Sequence, residues 1–573
     1  MKRLVIAVTI AGCAGSPVPS SRFLNAPPAT AVNDRLDVPV KPAERPFHEN
    51  LYHYDGVVGD RIDRAFELPR PRRALGINAF DEVPDSTWFT NRIGVRDMSL
   101  AELTNGPARI DSPEFHKPFT IKATKTGGSE VGFTIEDARG EKFMLKFDTR
   151  GFPEQETATD IIVGKLLWAC GYNVTEDFIV DLRRQDLVVA PDATMSDKLG
   201  DKHRLEPADV DRMLAKVEVE PDGRIRAYAS RWLAGKSLGG HPGEGVREDD
   251  PNDRIPHELR RDLRGSYAMF AWLDHVDVQE SNYLDTWIAD PRDKHRHYVK
   301  HYLLDFGKSM GVMATTGRDP RRGHAYVIDL GDMARSMVSG GLLERSWEDR
   351  HVPRLRGVGL FDVGTFDPGT WKPDYPSYLP FLTADRFDKF WGAKILIRLT
   401  REQIHAIVET GRYSDPRAVE YVTDTLVARQ RKTAEHWFSR VNPLDRFSIQ
   451  RGRAPSQPAE PAGPLPHDSL RSSIAADSVC FDDLAIAYGF APAPGTNYQA
   501  TSYDRQSHLV GAAAGSPNER GRSCIPLSLS PERDGYTMMR IQTTRAGFTG
   551  TTIVHIARNP ATRVPRIVGI WRT

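Results

Sequence analysis

Residues 131–148 alternate hydrophobic and polar positions in two runs separated by Ala138-Arg139-Gly140, the pattern of an antiparallel strand pair. On the second run Phe143, Leu145 and Phe147 share one face, which leaves Met144 and Lys146 together on the other. The period then becomes helical over 153–170, with Ile161, Ile162, Leu166 and Trp168 among its apolar positions, and stops at Gly171, a residue suited to a helix C-terminus. Residues 227–233 predict a strand, broken at Ala234-Gly235-Lys236. Pro256 opens a helix predicted to run to 276, with Leu259, Leu263, Tyr267, Phe270 and Leu273 recurring every three or four residues. From Leu399 the pattern is helical again, first to Gly411 and then across 418–438. Residues 450–467 are rich in Pro, Ala and Gly and predict a linker. Beyond 477, β-branched or alternating runs at 536–542, 551–558 and 566–571 predict a small β-rich domain.

Two motifs stand where these elements end. The helix predicted to end at 276 leads into His275-Val276-Asp277, and Asn282 follows Asp277 by five residues. An apolar run then closes on Asp305-Phe306-Gly307. Phosphoryl transfer explains that order: one Asp accepts the proton of the attacking hydroxyl, while an Asn and a second Asp hold Mg²⁺ against the phosphates. Upstream, Lys146 is placed to meet phosphates, and Gly127 and Gly128 in the loop before the strand pair offer backbone N–H groups. Three acids on the following helix are in reach of Lys146: Glu154, Glu156 and Asp160. Asp160 shares a stripe with Gly164 and Trp168 and is the expected partner, with Glu156 one turn earlier as its rival.

In this combination the chain resembles the kinase-like superfamily, nearer its atypical HipA-like and CotH-like branches than the eukaryotic protein kinases. The resemblance spans about residues 117–447. It implies an α+β fold with a two-lobed kinase-like core: a small β-rich N-lobe and a mostly helical C-lobe. It further implies Asp277 as catalytic base, Lys146 as phosphate contact paired with Asp160, Asn282 and Asp305 as Mg²⁺ ligands, and Met144, Gly127 and Gly128 against ATP or another nucleotide. The chain departs from the protein-kinase pattern in lacking a GxGxxG loop and an Ala-Pro-Glu tripeptide, and in carrying a charged insertion at 290–297. The acceptor stays open between protein side chain, sugar and small molecule.

Composition and termini complete the expectation. Lysine plus arginine and aspartate plus glutamate number 77 each in 573 residues, so no global field favours nucleic acid, and none is expected as a partner. Lys2-Arg3, an apolar run over 4–10 and Ala11-Gly12-Cys13 have the order of a secretory signal. Ile10-Ala11-Gly12-Cys13 resembles a bacterial lipobox, which implies lipidation at Cys13 and a lipid-anchored protein of the cell envelope. Ala14, where an Asp would signal inner-membrane retention, points to the outer membrane. The expected division is a signal at 1–13, a tether at 14–46, an N-terminal extension at 47–116, the kinase-like domain at 117–449, a linker at 450–476 and the β-rich domain at 477–573. Cys480 and Cys524 form a candidate disulfide in such a compartment. His295, His297 and His301 read as a solvated turn rather than a ligand set. Two function classes follow: an extracytoplasmic phosphotransferase, or a non-catalytic kinase-fold lipoprotein serving as a binding or structural module.

Overall fold

The computed structural model describes residues 19–46, 52, 54, 59, 72–125, 130–196, 201–313, 319–345, 347–348, 350–452 and 477–573. Cys13, Gly127, Gly128 and the linker from 453 to 476 lie outside them. The fold is mixed α and β and divides into two compact units: one of Ala29–Asn78 and Glu82–Arg440, the other of Met1–Pro28, Ala79–Asp81 and Val441–Thr573.

In the first unit, strands β1 (Phe119–Thr124), β2 (Gly132–Glu136), β3 (Lys142–Phe147), β4 (Asp177–Leu182), β5 (Leu187–Ser196), β6 (Lys202–Arg204) and β7 (Ile225–Arg231) form one sheet, in the order β4-β7-β3-β2-β1-β5-β6. All neighbours are antiparallel except β1 and β5. Phe143, Leu145 and Phe147 are buried with Phe133, Ile135 and Val180, which fixes the register and leaves Lys146 on the opposite face. The helix Gln155–Cys170 follows β3 through a short turn governed by Asp148. Its buried carboxylate accepts hydrogen bonds from the backbone N–H groups of Glu154, Glu156 and Thr157 at 3.0–3.1 Å, satisfying donors that a helix start leaves open.

The chain leaves this sheet at Arg231 and enters a second one at β8 (Lys236–Ser237), beside β9 (Tyr283–Asp290) and β10 (Asp293–Leu303). Between them Gly235 has φ +91°, and a Cβ there would fall 2.4 Å from the Trp287 carbonyl oxygen, so only glycine fits. The expected helix from 256 is shorter than the pattern predicts. His257–Leu259 is a single 3-10 turn, Arg260 is extended, and the α-helix spans Arg261–Leu273 before Asp274 turns left-handed. This helix packs on Arg386–Leu396, where Gly265 and Gly392 permit close backbone approach and buried Asp388 lies 2.7 Å from Arg261 and 2.6 Å from Arg264. Arg429, buried on the helix Pro416–Phe438, donates to the carbonyls of Ala271 and Trp272 at 2.7 and 2.9 Å, binding the helix end that delivers the next loop.

Two expected boundaries change. Residues 29–46 are not a free tether: Val38 N–H donates to His297 O at 2.7 Å, Arg45 N–H to Leu238 O at 2.9 Å, and Leu36 N–H to Asn252 Oδ1 at 2.9 Å. Backbone without its own ladder finds its partners on the folded unit. The boundary expected at 449 lies at 441, because β11 (Leu444–Gln450) pairs with β12 (Ser478–Asp483).

The second unit is β-rich. Strands β11, β12 and β15 (Arg522–Pro526) form one sheet. The other holds β13 (Asn497–Tyr503), β14 (Leu509–Gly515), β16 (Thr537–Arg545), β17 (Phe548–Arg558) and β18 (Pro565–Arg572) in the order β14-β13-β16-β17-β18. Residues 19–28 belong here too, with Phe23 edge-on to His555 at 4.8 Å. Cys480 and Cys524 are cross-strand partners on β12 and β15 and are bonded. They lie 44 positions apart in the chain. Replacing both with serine is expected to destabilise this unit by about 2–4 kcal/mol, read as a lower denaturation midpoint. Peptide mapping under non-reducing conditions that finds both thiols free would contradict the pairing.

Candidate active site

The first unit brings three of the sequence-selected residues to one cleft and ties two more to its edge. Lys146 reaches it from β3, Asp160 from the Gln155–Cys170 helix and Asp305 from the segment after β10. Asp277, on the loop after Leu273, joins it through the lining residue Lys308, and Asn282 joins it through Asp277. Lys146 Nζ donates to Asp305 Oδ1 at 2.7 Å and stands 5.7 Å from the centroid of the Tyr228 ring on β7. Asn282 Nδ2 donates to the Asp277 carbonyl at 2.7 Å, which fixes the amide and turns its oxygen away from that carbonyl. The two motifs are joined directly, because Leu304 N–H donates to Asn282 O at 3.0 Å.

Phe306 anchors the Asp-Phe-Gly segment. It is fully buried, its ring lies beside Gly164, and His275 packs against it at 5.6 Å. His275 in turn meets Ser309 Oγ at 2.8 Å. Asp305 takes φ +60°, a left-handed conformation that few residues other than glycine adopt. With that backbone its carboxylate turns to Lys146, while the next N–H, that of Phe306, goes to Asp160 Oδ1 at 2.6 Å.

The Lys146 partner is therefore Asp305, and the expected Lys146–Asp160 ion pair does not form. Asp160 sits in the same cleft and is held by the Phe306 backbone. Glu156 also lines the cleft, whereas Glu154 turns to Arg356 at 2.7 Å. Met144 lies on the Lys146 side of β3 but is not among the cleft-lining residues. Four lining groups were not singled out from the sequence, among them Thr157, whose hydroxyl donates to Asp148 at 2.7 Å. Lys308 pairs with Asp277 Oδ2 at 2.9 Å, Glu130 pairs with Lys125 at 2.7 Å, and Tyr228 floors the Lys146 side. Lys308 had a signal, a base directly behind Asp-Phe-Gly; Glu130 had none beyond its place next to the glycine loop.

Opposed charges set the electrostatics. Burial alone would lower the Lys146 ammonium, but Asp305 and then Asp160 outweigh it and hold the lysine charged. Desolvation would raise Asp305, yet Lys146 and then Lys125 hold its carboxyl well below the usual range. Its side chain stays 42% exposed to the cleft, against 16% for Lys146. Burial pushes Asp160 up from its ordinary 3.8 to about 7, with Lys146 opposing the rise and Asp305 adding to it. Glu156 is raised well above its usual range by burial and then by Glu130, Asp148 and Asp160.

No protein-family model and no curated protein matches the chain. Among solved structures, two crystal structures of the Golgi casein kinase, one with Mn/ADP bound, align with 59% of this chain at a TM-score of 0.29. They are 11% and 10% identical, with 73% and 72% of those chains covered. The chemistry of the cleft stands on its own residues.

Asp160 gives a pH-dependent test. Its carboxyl holds a proton more readily folded than unfolded, so its contribution to stability falls as pH rises from about 4 to 7 and stays low above that. Asp160→Asn keeps an acceptor for the Phe306 N–H without the charge. The variant is expected to melt a few degrees above wild type at pH 8, with the gap shrinking toward pH 5. A variant that melts no higher than wild type at pH 8 would contradict this account.

Proposed function

We propose that the chain is an extracytoplasmic kinase-like phosphotransferase of the atypical HipA-like or CotH-like kind, moving a phosphoryl group from ATP or another nucleotide to an acceptor hydroxyl. The observation that carries this reading is that Lys146, Asp160 and Asp305 line one cleft, while Asp277 and Asn282 are joined to it through Lys308 and the Leu304 N–H bond. The donor set suits a hard divalent cation: the Asp305 carboxylate is open to the cleft and the Asn282 amide is held by its nitrogen. Asp305 and Asn282 would hold Mg²⁺, which when bound neutralises phosphate charge.

The chain's own residues supply the rest. Lys146, released from Asp305, presents its ammonium to phosphate oxygens. Asp277 orients the acceptor hydroxyl and takes its proton, as the new bond to phosphorus forms and the bond to the nucleoside diphosphate breaks. Lys308, 2.9 Å from Asp277, places a second positive charge where the transferred group passes. The same contact favours a second reading. With Asp277 engaged by Lys308 and Asp305 by Lys146, a non-catalytic kinase-fold module that binds without transfer would keep this geometry.

Export and anchoring through Cys13 belong to the same proposal, with the outer membrane as destination. The Cys480–Cys524 bond supports an oxidising compartment. No helix among the described residues is long and apolar enough to cross a membrane.

Two experiments test the proposal. Asp305→Asn is expected to weaken Mg²⁺-dependent nucleotide binding at least tenfold, roughly 1.4 kcal/mol, with the melting curve retained. Asp277→Asn is expected to bind nucleotide and lose transfer by about a hundredfold or more. Unchanged nucleotide affinity in the Asp305 variant would remove the metal assignment, and wild type that binds but never transfers would favour the binding module. For anchoring, wild type is expected in the membrane fraction and Cys13→Ser is not expected to mature by the same route. Soluble wild type retaining Met1 would refute it.

A further inference from the structure

A second cluster of chemically active side chains lies on the β9–β10 hairpin, outside the residues that line the cleft. Asp285 on β9 and His301 on β10 are direct cross-strand partners, and His241 approaches them from the segment after β8. All three are buried. His301 Nδ1 lies 2.6 Å and His241 Nδ1 3.3 Å from the same oxygen, Asp285 Oδ1. One ligand atom from each of the three lies within 4.8 Å of the others. The expectation of a solvated turn fails for His301, which two-residue alternation along β10 places inward with Val299 and Leu303.

A purely hydrogen-bonded network accounts for part of this arrangement. Arg247 reaches Asp285 Oδ2 at 3.3 Å, and the Trp88 ring stacks on His301 at 3.5 Å. Nearby, His241 Nε2, Asp250 Oδ2 and Asp253 Oδ1 are buried without hydrogen-bond partners, although none is among the atoms that converge on Asp285 Oδ1. Asp250 and Asp253 both interact electrostatically with His301. Buried carboxyl groups of Asp250, Asp253 and Asp285 face this cluster. Asp253 pairs with buried His257 at 2.7 Å and Asp285 with Arg247, and a divalent cation would add positive charge at Asp285. Ligands about 2.0–2.1 Å from a tetrahedral zinc ion stand about 3.3–3.4 Å apart, the spacing His241 and Asp285 already have. His301 would move outward by under about 1 Å to match. A small cavity adjoins both histidines, lined by Trp88, Asn173, His241, Asp262, Leu263 and His301 among others.

We propose that His241, Asp285 and His301 bind one divalent transition-metal ion of the zinc class. Two imidazole nitrogens and a carboxylate suit such an ion, unlike the all-oxygen set of Asn282 and Asp305. Its place in the fold indicates what it does. Asn282 immediately precedes β9 and Asp305 follows the end of β10 by two residues, so an ion joining Asp285 to His301 rivets the hairpin that carries both nucleotide-side ligands. The proposal stands whether or not the cleft transfers phosphate.

The test uses the full chain, purified without chelator. Elemental analysis is expected to find about one equivalent of metal per chain. After stripping, Co²⁺ is expected to restore the intense visible absorption of a tetrahedral nitrogen–oxygen site, and Zn²⁺ to raise the melting temperature. His241→Ala and His301→Ala are expected to lose metal at least tenfold, while Asp305→Asn keeps it, which separates this site from the nucleotide cation. Should a histidine variant fail to fold, the wild-type cobalt spectrum still decides. Metal-free wild type showing no cobalt bands and no zinc-induced stabilisation overturns the proposal, as does metal retained in full by folded histidine variants.

Discussion

The contact between Lys146 and Asp305, 2.7 Å across the cleft, is the interaction on which the rest of the first unit converges. The lysine is aimed by a strand whose other face is sealed by Phe143, Leu145 and Phe147. The aspartate is aimed by a left-handed residue between a hairpin and a buried phenylalanine. An ion pair partly open to solvent adds little to stability, since exposed pairs are worth at most about 1 kcal/mol. Its value is positional. Each charge neutralises the other, so the cleft keeps both groups charged without leaving either alone.

The surrounding packing explains how so modest a contact is held in place. Asp148 binds the start of the Gln155–Cys170 helix to the end of β3, so Lys146 and Asp160 cannot drift apart. Arg429 gathers the carbonyls at the end of the Arg261–Leu273 helix, and the loop bearing Asp277 starts there. The Leu304 N–H bond to Asn282 then ties the two motifs together. Each support is a hydrogen bond to backbone, and in two of them a buried charged side chain, Asp148 or Arg429, is satisfied by the groups it binds.

What the sequence made legible was local in origin. The strand face of Lys146, the helix stopping at Gly171 and the β-rich character beyond 477 all follow from periodicity and one end signal. The Lys146 partner was not legible, because it depends on the φ of Asp305, a backbone angle no spacing rule reveals. The helix start was misplaced because Pro256 suits a first turn, while the extended Arg260 interrupts the run. Residues 29–46 read as a tether from their proline and alanine content, yet N–H groups of Leu36, Val38 and Arg45 bond to distant residues, Asn252, His297 and Leu238. His241, Asp285 and His301 are dispersed in sequence and meet through hairpin register, although alternation along β10 already marked His301 as inward.

Whether the Lys146–Asp305 cleft is the proposed nucleotide site is read most directly by covalent labelling at a single atom. An acyl-phosphate derivative of ATP transfers its acyl group to a lysine held against the phosphates, and peptide mass spectrometry identifies which lysine was modified. Modification is expected at Lys146, strengthened by Mg²⁺ and blocked by excess ATP. Labelling spread over surface lysines, or at Lys146 but indifferent to ATP, would contradict it.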